Sequence, residues 1–257
     1  MSATQPLGGA IGRLLGAGGR ADVFEWGDRV LKLYRSPDAK AAAFREAAIQ
    51  AAVENLGLPV PAVCGVQQVD GRWGVVFDRV RQASFAERMR AEPETMPMYL
   101  AEMARLQLLI HAHPAPQFAS LKTKLASDIA AARPIGDEQR SALLGGLAGM
   151  PDGDRLCHGD FHPMNVLGDI AHPVVIDWPD ARRGDPAADA CRSYLLLHLH
   201  AEAWAKPYVD AYCRAGALSD EETAGWLPYV AAARLTENIA GEADRLLAIV
   251  RHKGWPA

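Results

Sequence analysis

The segment "CHGDFHPMNVL", residues 157 to 167, brings His158, Asp160, His162 and Asn165 into one loop. Three readings compete for it: a metal site on His158 and His162, a catalytic carboxylate at Asp160, or a polar turn without chemistry. Downstream, "VVIDW" closes an apolar run, Val174, Val175 and Ile176, with Asp177, a carboxylate that has no cationic neighbour in sequence. Asp160, Asn165 and Asp177 together would offer two carboxylates and an amide oxygen, the hard oxygen ligands that magnesium prefers. Zinc fits less well. His158 and His162 lie on a loop containing glycine and proline rather than on a helix, and no third soft ligand stands at useful spacing. His158 is read instead as a hydrogen-bonding residue that holds the loop.

Two further charges stand where apolar residues belong. Lys32 lies inside the strand "RVLKLY", with Val30 and Tyr34 on its own side and Leu31 and Leu33 on the other. An ammonium in such a place needs compensating anions. Glu46 supplies one, because it falls in line with Ile49, Val53 and Leu56 on the apolar stripe of the following helix. The plain alternative is a snorkelling lysine and a glutamate at the stripe's edge. Before the strand, "LGAGGRADVF" carries Gly16, Gly18 and Gly19, whose lack of side chains would let backbone N–H groups approach phosphate oxygens, while Val23 would cover a purine ring. A glycine-rich hairpin is weak evidence by itself. Ala21 stands where GxGxxG needs its third glycine, and the Walker pattern GxxxxGK[ST] is absent.

These residues must be positioned by a mixed architecture. Residues 11 to 35 read as three strands of a β-meander, turning at Gly27 and Asp28. A helix is expected over 37 to 56, with Ser36 as N-cap, Pro37 at its first position and Gly57 past its end. Asp70 and Gly71 predict a type I′ hairpin between "AVCGVQQV" and "RWGVVFDRV". After residue 82 the pattern turns helical, with Leu100, Met103, Leu106, Leu109 and Ile110 on one face and alanine-rich segments near 120 to 132 and 137 to 148. Short strands in "RLCHG", "NVLGD" and "HPVVIDW" interrupt it before helices resume at Asp185. The expected fold is α+β and bilobal: a small antiparallel β lobe with one helix, residues 1–80, and a larger, mainly helical lobe, residues 81–257.

Composition narrows the class. With 257 residues, 49% of them hydrophobic, the chain can bury a sizeable core. A net charge of -4 argues against nucleic acid as a partner, and the absence of a long apolar run argues against a membrane span. A cytoplasmic location is expected, with Cys64, Cys157, Cys191 and Cys213 as free buried thiols. Residues 200 to 245 hold eight acidic side chains (Glu202, Asp210, Asp220, Glu221, Glu222, Glu237, Glu242, Asp244) against four basic ones (Lys206, Arg214, Arg234, Arg245). Such a wall would suit a polycation, although solvated helix faces are commonly charged.

Taken in order, the glycine-rich turn, strand lysine, helix glutamate, HGDxxxxN and IDW resemble the aminoglycoside phosphotransferase family, which is similar to choline kinases and more distantly to protein kinases. The resemblance covers residues 11 to 190, including "GDPAAD" at 184 to 189. It implies a protein-kinase-like fold and ATP-dependent phosphorylation of a hydroxyl on a small molecule. It assigns Lys32, paired with Glu46, to the α- and β-phosphates, Asp160 to the acceptor hydroxyl, and Asn165 and Asp177 to Mg2+. It also implies adenine contacts to the backbone around Asp78 and Val80, with bulky Phe77 just before them, and leaves GTP open beside ATP. Gly159 replaces the arginine of HRD, and Trp178 and Pro179 replace the Phe-Gly of DFG, so no DFG flip is expected. The alternative is a nucleotide-binding protein of this fold that has lost catalysis; a zinc hydrolase using the loop histidines is a further rival.

Overall fold

The computed structural model describes residues 9–216, 218–251 and 255. The chain forms two compact units. One holds the chain up to Ala83 together with Val166–Pro179; the other holds Ser84–Asn165 and the chain from Asp180 onward.

In the first unit, β1 (Leu14–Ala17), β2 (Ala21–Trp26), β3 (Arg29–Tyr34), β4 (Val63–Val69) and β5 (Arg72–Asp78) form one sheet in the order β1-β2-β3-β5-β4, with antiparallel neighbours. The alternation of β3 sorts its side chains as its sequence predicts. Leu31 and Leu33 pack with Trp26 and Val76, whereas Val30 and Tyr34 join Ala21, Ala43, Val75 and Phe77. Both tight turns need left-handed backbone: Gly27 has φ +65°, and Asp70 and Gly71 have φ 49° and 77°, as a type I′ hairpin requires.

The helix of this unit, α1, spans Lys40–Glu54 and starts later than expected. The hydroxyl of Ser36 accepts from the Asp38 amide at 3.3 Å, so the segment after it folds into a turn, and the helix begins behind Ala39 with no side-chain cap. Its buried stripe is Ala43, Glu46, Gln50 and Val53, with Ile49 only half-buried. A small ribbon, β7 (Val166–Leu167) paired with β8 (Val174–Val175), completes the unit and is tied to it by the Val175 amide donating to Pro59 at 2.7 Å.

The second unit is mainly helical: α2 (Phe85–Ala91), α3 (Met96–His111), α4 (Leu121–Ala131), α5 (Asp137–Gly149), α6 (Pro186–His200), α7 (Glu202–Gly216), α8 (Asp220–Ala224), α9 (Leu227–Arg234) and α10 (Ala243–Arg251). Of the α3 face expected to be apolar, Leu100, Met103, Leu106 and Ile110 are buried and Leu109 is exposed. Asp185 caps α6 by accepting from the Ala187 amide at 2.8 Å, with Pro186 in the first turn. One strand was not legible in the sequence. β9 (Arg182–Gly184) pairs with β6 (Arg155–Cys157), and "RRG" has no alternation to betray it. Cys157, Cys191 and Cys213 are buried free thiols, whereas Cys64 is partly exposed. Among the described residues no helix is long and apolar enough to cross a membrane.

Candidate active site

In the first unit, β3, α1 and the turn after β8 bring three charges together. Lys32 Nζ lies 2.7 Å from Glu46 Oε1 and 2.6 Å from Asp177 Oδ1. Glu46 is almost wholly buried, and its second oxygen accepts from the Tyr34 hydroxyl. Burial alone would lower the Lys32 pKa, but the charges of Asp177 and Glu46 outweigh it and hold the amine above the usual lysine range. This ammonium stays charged at any ordinary pH. Asp177 has φ +69°, a left-handed conformation that non-glycine residues rarely adopt. Beside it Trp178 is buried and donates from Nε1 to the Val175 carbonyl at 3.1 Å, which fastens the turn.

The glycine-rich turn lies between β1 and β2. Gly18 closes it, its amide donating to Ala21 at 2.9 Å, while the Cα positions of Gly16 and Gly19 face open space. Ala21 is buried in the core with Tyr34 and Ala43, so the methyl group that breaks GxGxxG packs inward. Val23 stands directly opposite Lys32 on the neighbouring strand. Phe77 is buried in the same core. The Asp78 amide donates to Ala62 at 2.9 Å and its carboxylate accepts from the Cys64 thiol at 3.3 Å; Val80 is half-buried. Burial, followed by the bond to Asp78, pushes the Cys64 thiol up to about 11.

In the second unit the loop after β6 carries Asp160 and Asn165. The Asn165 amide nitrogen donates to the Asp160 carbonyl at 2.9 Å and lies 3.2 Å from His162 Nε2. His162 Nε2 is 3.5 Å from Asp160 Oδ2, and Arg192 on α6 brings its NH2 to 3.6 Å from Oδ1. Burial would raise the Asp160 pKa, but the His162 contact and the Arg192 charge overcome it, and the carboxyl is held well below the usual range. His158 is buried, accepts the Asp160 amide on Nδ1 at 3.2 Å and meets Phe161 edge-on, which is the loop-holding role its position suggested. Gly159 has φ +82°, and a Cβ there would lie 2.5 Å from the Asp180 carbonyl oxygen. No arginine fits at this position.

Two residues central to this loop received no role from the sequence alone. Asp189, fully buried, accepts from the His158 amide at 3.1 Å and the Gly159 amide at 2.7 Å, and also from Gln107 at 2.9 Å. Its burial would raise its pKa, yet the bond from His111 and the Gln107 contact lower it. The hints were its place at the end of "GDPAAD", within the segment that resembles the family, and its position one helical turn beyond the Asp185 cap. Arg192 was hidden in the same way, as one charge within an alanine- and leucine-rich helix.

The zinc reading loses its ligands. Among the described residues, the metal-binding side chains that gather within 4.8 Å are His111, Cys157 and Asp189, not the two loop histidines. That cluster is already satisfied by hydrogen bonds: His111 reaches Asp189 through Nε2 at 3.0 Å and Tyr212 through Nδ1 at 2.7 Å, and burial pushes the Cys157 thiol well up.

Half of the eight acids in the stretch from 200 to 245 pair with a lysine or arginine within the unit. Glu237 pairs with Arg192 at 2.7 Å and Arg234 at 2.9 Å, and Glu242 with Arg234 at 2.7 Å and His200 at 2.9 Å. Asp210 and Asp220 share Lys206, and Glu222 completes the capping box of α8. A composition that would suit a polycation thus resolves in part into internal ion pairs.

The family model described as the phosphotransferase enzyme family (APH) matches residues 12–228. The chain belongs to this family. Aminoglycoside phosphotransferase APH(4)-Ia, a thermostable mutant in ternary complex with ADP and hygromycin B, is similar in fold at 17% identity and TM-score 0.69, covering 93% of this chain and 92% of that one. The streptomycin-ATP-APH(2″)-IIa ternary complex gives 16% identity and TM-score 0.62, with 92% and 89% covered. APH(3″)-Id from Streptomyces rimosus, in complex with ADP and streptomycin, gives 18% and 0.59, with 82% and 90% covered. No curated protein matches the sequence significantly. The expected α+β, kinase-like architecture and the resemblance drawn from the motifs are thus borne out, and the chain is a phosphotransferase by family.

Proposed function

We propose that the protein transfers the γ-phosphoryl group of ATP to a hydroxyl of a small molecule. The observation that carries this reading is Lys32 held by Glu46 and Asp177, a charged amine fixed in a largely apolar sheet with part of its surface still open. Its position suits the α- and β-phosphates, and Glu46 with Tyr34 keeps it from collapsing onto other acceptors. The amides near Gly16 and Gly19 and the side chain of Val23 complete the nucleotide contacts. Because the Asp78 amide already serves Ala62, adenine would use the Asp78 carbonyl and the Val80 amide, next to Phe77. ADP and ATP in the complexes of similar fold support this nucleotide.

Asp160 would accept the hydrogen bond of the acceptor hydroxyl, orient its oxygen toward phosphorus and take the proton late in the transfer. Its depressed pKa fits that timing, since a weak base orients an alcohol without deprotonating it early. Each proposed Mg2+ ligand offers a hard oxygen: Asn165 engages its nitrogen within its loop and leaves its oxygen end for a cation, and Asp177 keeps a second carboxylate oxygen beyond the one facing Lys32. When bound, the ion would neutralise charge on the phosphates. A hydroxyl-bearing acceptor is supported by hygromycin B and streptomycin in those complexes. The helices from 200 to 245, half of whose acids are held in internal ion pairs, give no special support to a polycation over an uncharged sugar or amino alcohol. A cytoplasmic location, without nucleic acid or membrane as partner, accords with the net charge of -4.

Thermal-shift measurements with ATP, GTP and magnesium, followed by coupled turnover on amino sugars, amino alcohols and sugars, test the reading. Stabilisation by Mg-ATP together with acceptor-dependent ADP release is expected. Binding without release for any acceptor would favour the inactive nucleotide binder, and zinc-dependent hydrolysis without nucleotide would overturn both.

A further inference from the structure

We propose that Arg192 is a positioning residue for phosphoryl transfer: held by Glu237, its guanidinium fixes the carboxylate of Asp160 in the orientation the acceptor hydroxyl needs. The inference rests on the kinase reading above and adds to it a residue for which no role had been assigned.

The placement of Arg192 is unusual for an arginine. It projects from α6 among Ala188, Cys191 and Leu195, all buried. Its Nε is buried without a hydrogen-bond partner. Burying a guanidinium with a donor left unsatisfied is a poor way to stabilise a helix, and an apolar side chain of similar length would serve packing better. What the arginine does provide is direction. Its NH2 bonds Glu237 Oε1 at 2.7 Å, and the same nitrogen faces Asp160 Oδ1 at 3.6 Å.

That second distance exceeds hydrogen-bond range. The guanidinium therefore attracts the carboxylate without saturating it, and Oδ1 remains able to accept a hydroxyl proton. Oδ2 faces His162 Nε2 at 3.5 Å and accepts from the Asn165 amide nitrogen at 3.5 Å, while Oδ1 faces Arg192, so the plane of the carboxylate is set from both ends. Glu237 is braced in turn: Arg234 NH1 donates to its other oxygen at 2.9 Å, and Arg234 is locked by two bonds of 2.7 Å to Glu242. A rigid series of alternating charges thus runs from α9 through the turn after it to the loop carboxylate. The planar fork of arginine suits this role and the flexible ammonium of lysine does not.

The test uses the full chain with R192A, R192K and E237Q. R192A is expected to lower kcat about 10- to 100-fold, the scale of a displaced catalytic group, with KM for ATP within about twofold of wild type. Guanidinium ion at a non-denaturing concentration should restore part of the turnover of R192A and none of that of D160A. R192K should rescue poorly, E237Q should lose less, and R192A/E237Q should be no slower than R192A. Crystal structures of wild type and R192A provide a readout independent of turnover: the Asp160 carboxylate should rotate once the guanidinium is gone. An unchanged Asp160 rotamer, or loss of melting temperature with kcat intact and no response to guanidinium, would overturn the proposal. If wild type consumes no ATP with any acceptor, the kinase reading fails, and the rotamer comparison still decides the positioning role.

Discussion

Lys32 Nζ stands 2.6 Å from Asp177 Oδ1 across 145 positions of sequence, and both residues belong to the same compact unit. The ribbon of β7 and β8, although flanked in sequence by the helical unit, returns to the sheet and delivers its carboxylate to the strand lysine. The amine for the phosphates and an acid proposed for the metal are therefore fixed to one another before any nucleotide arrives. Such preorganisation suits a reaction in which positioning and charge neutralisation do most of the work.

Replacing Lys32 by methionine should remove ATP turnover by at least about 100-fold and weaken nucleotide binding, as read by calorimetry and a coupled assay. It also strands buried Glu46, so stability should fall by about 1–3 kcal/mol, less than for a fully buried pair because Lys32 and Asp177 keep some exposure. The double variant K32M/E46L should recover stability in denaturant titration and no activity.

At Asp177 the backbone itself selects the residue. Asparagine visits left-handed conformations readily, so D177N should fold with a melting temperature near wild type while losing magnesium-dependent turnover. D177V, β-branched at φ +69°, should in addition lose about 1–2 kcal/mol of stability. Equal melting temperatures for D177N and D177V would show that the turn is not strained.

The side chain absent from Gly159 matters as much as those present around it. G159A sets a Cβ against the Asp180 carbonyl at a φ that alanine avoids, so the loop must shift. A loss of roughly 1–3 kcal/mol in unfolding free energy is expected, with a fall in kcat because Asp160 follows in the chain. Wild-type melting and turnover in G159A would refute this.

The pH dependence of stability should report on Asp189. Its folded pKa lies below the ordinary value of 3.8 chiefly because the His111 bond overcomes burial. A carboxyl depressed in this way stabilises the fold fully above the unfolded pKa, and the contribution is lost as pH falls through the folded one. Wild type should therefore lose stability below about pH 4, and D189N should show a shallower acid limb in denaturant melts. D189N should also be less stable at pH 7, by about 3 kcal/mol, since the His158 and Gly159 amides lose a charged acceptor. An unaltered acid limb would shift that role to other carboxylates.

What the sequence revealed and what it hid differ by the range of the interactions. Lys32 and Glu46 were legible because strand and helix periodicity each place a charge on a face that must be covered, and the hairpin at Asp70 and Gly71 because one dipeptide suffices to define it. The start of α1 was misplaced because the Ser36 hydroxyl closes a turn instead of capping a helix, a choice that local composition leaves open. Asp189 and Arg192 were hidden because their partners sit 30 or more positions away: the amides of His158 and Gly159 for one, Asp160 and Glu237 for the other. The acidic stretch was left open between a wall for polycations and solvated helix faces for the complementary reason. Counting charges cannot show that Glu237, Glu242 and Asp220 are each paired with a cation.

The most direct test is Asp160→Asn, an isosteric change that keeps the loop but removes the acceptor for the hydroxyl proton. With Mg-ATP affinity measured by calorimetry and turnover by a coupled assay on the same preparation, nucleotide affinity should remain within about twofold while kcat falls by at least about 100-fold. Turnover at the wild-type rate in that variant would contradict the account at its centre.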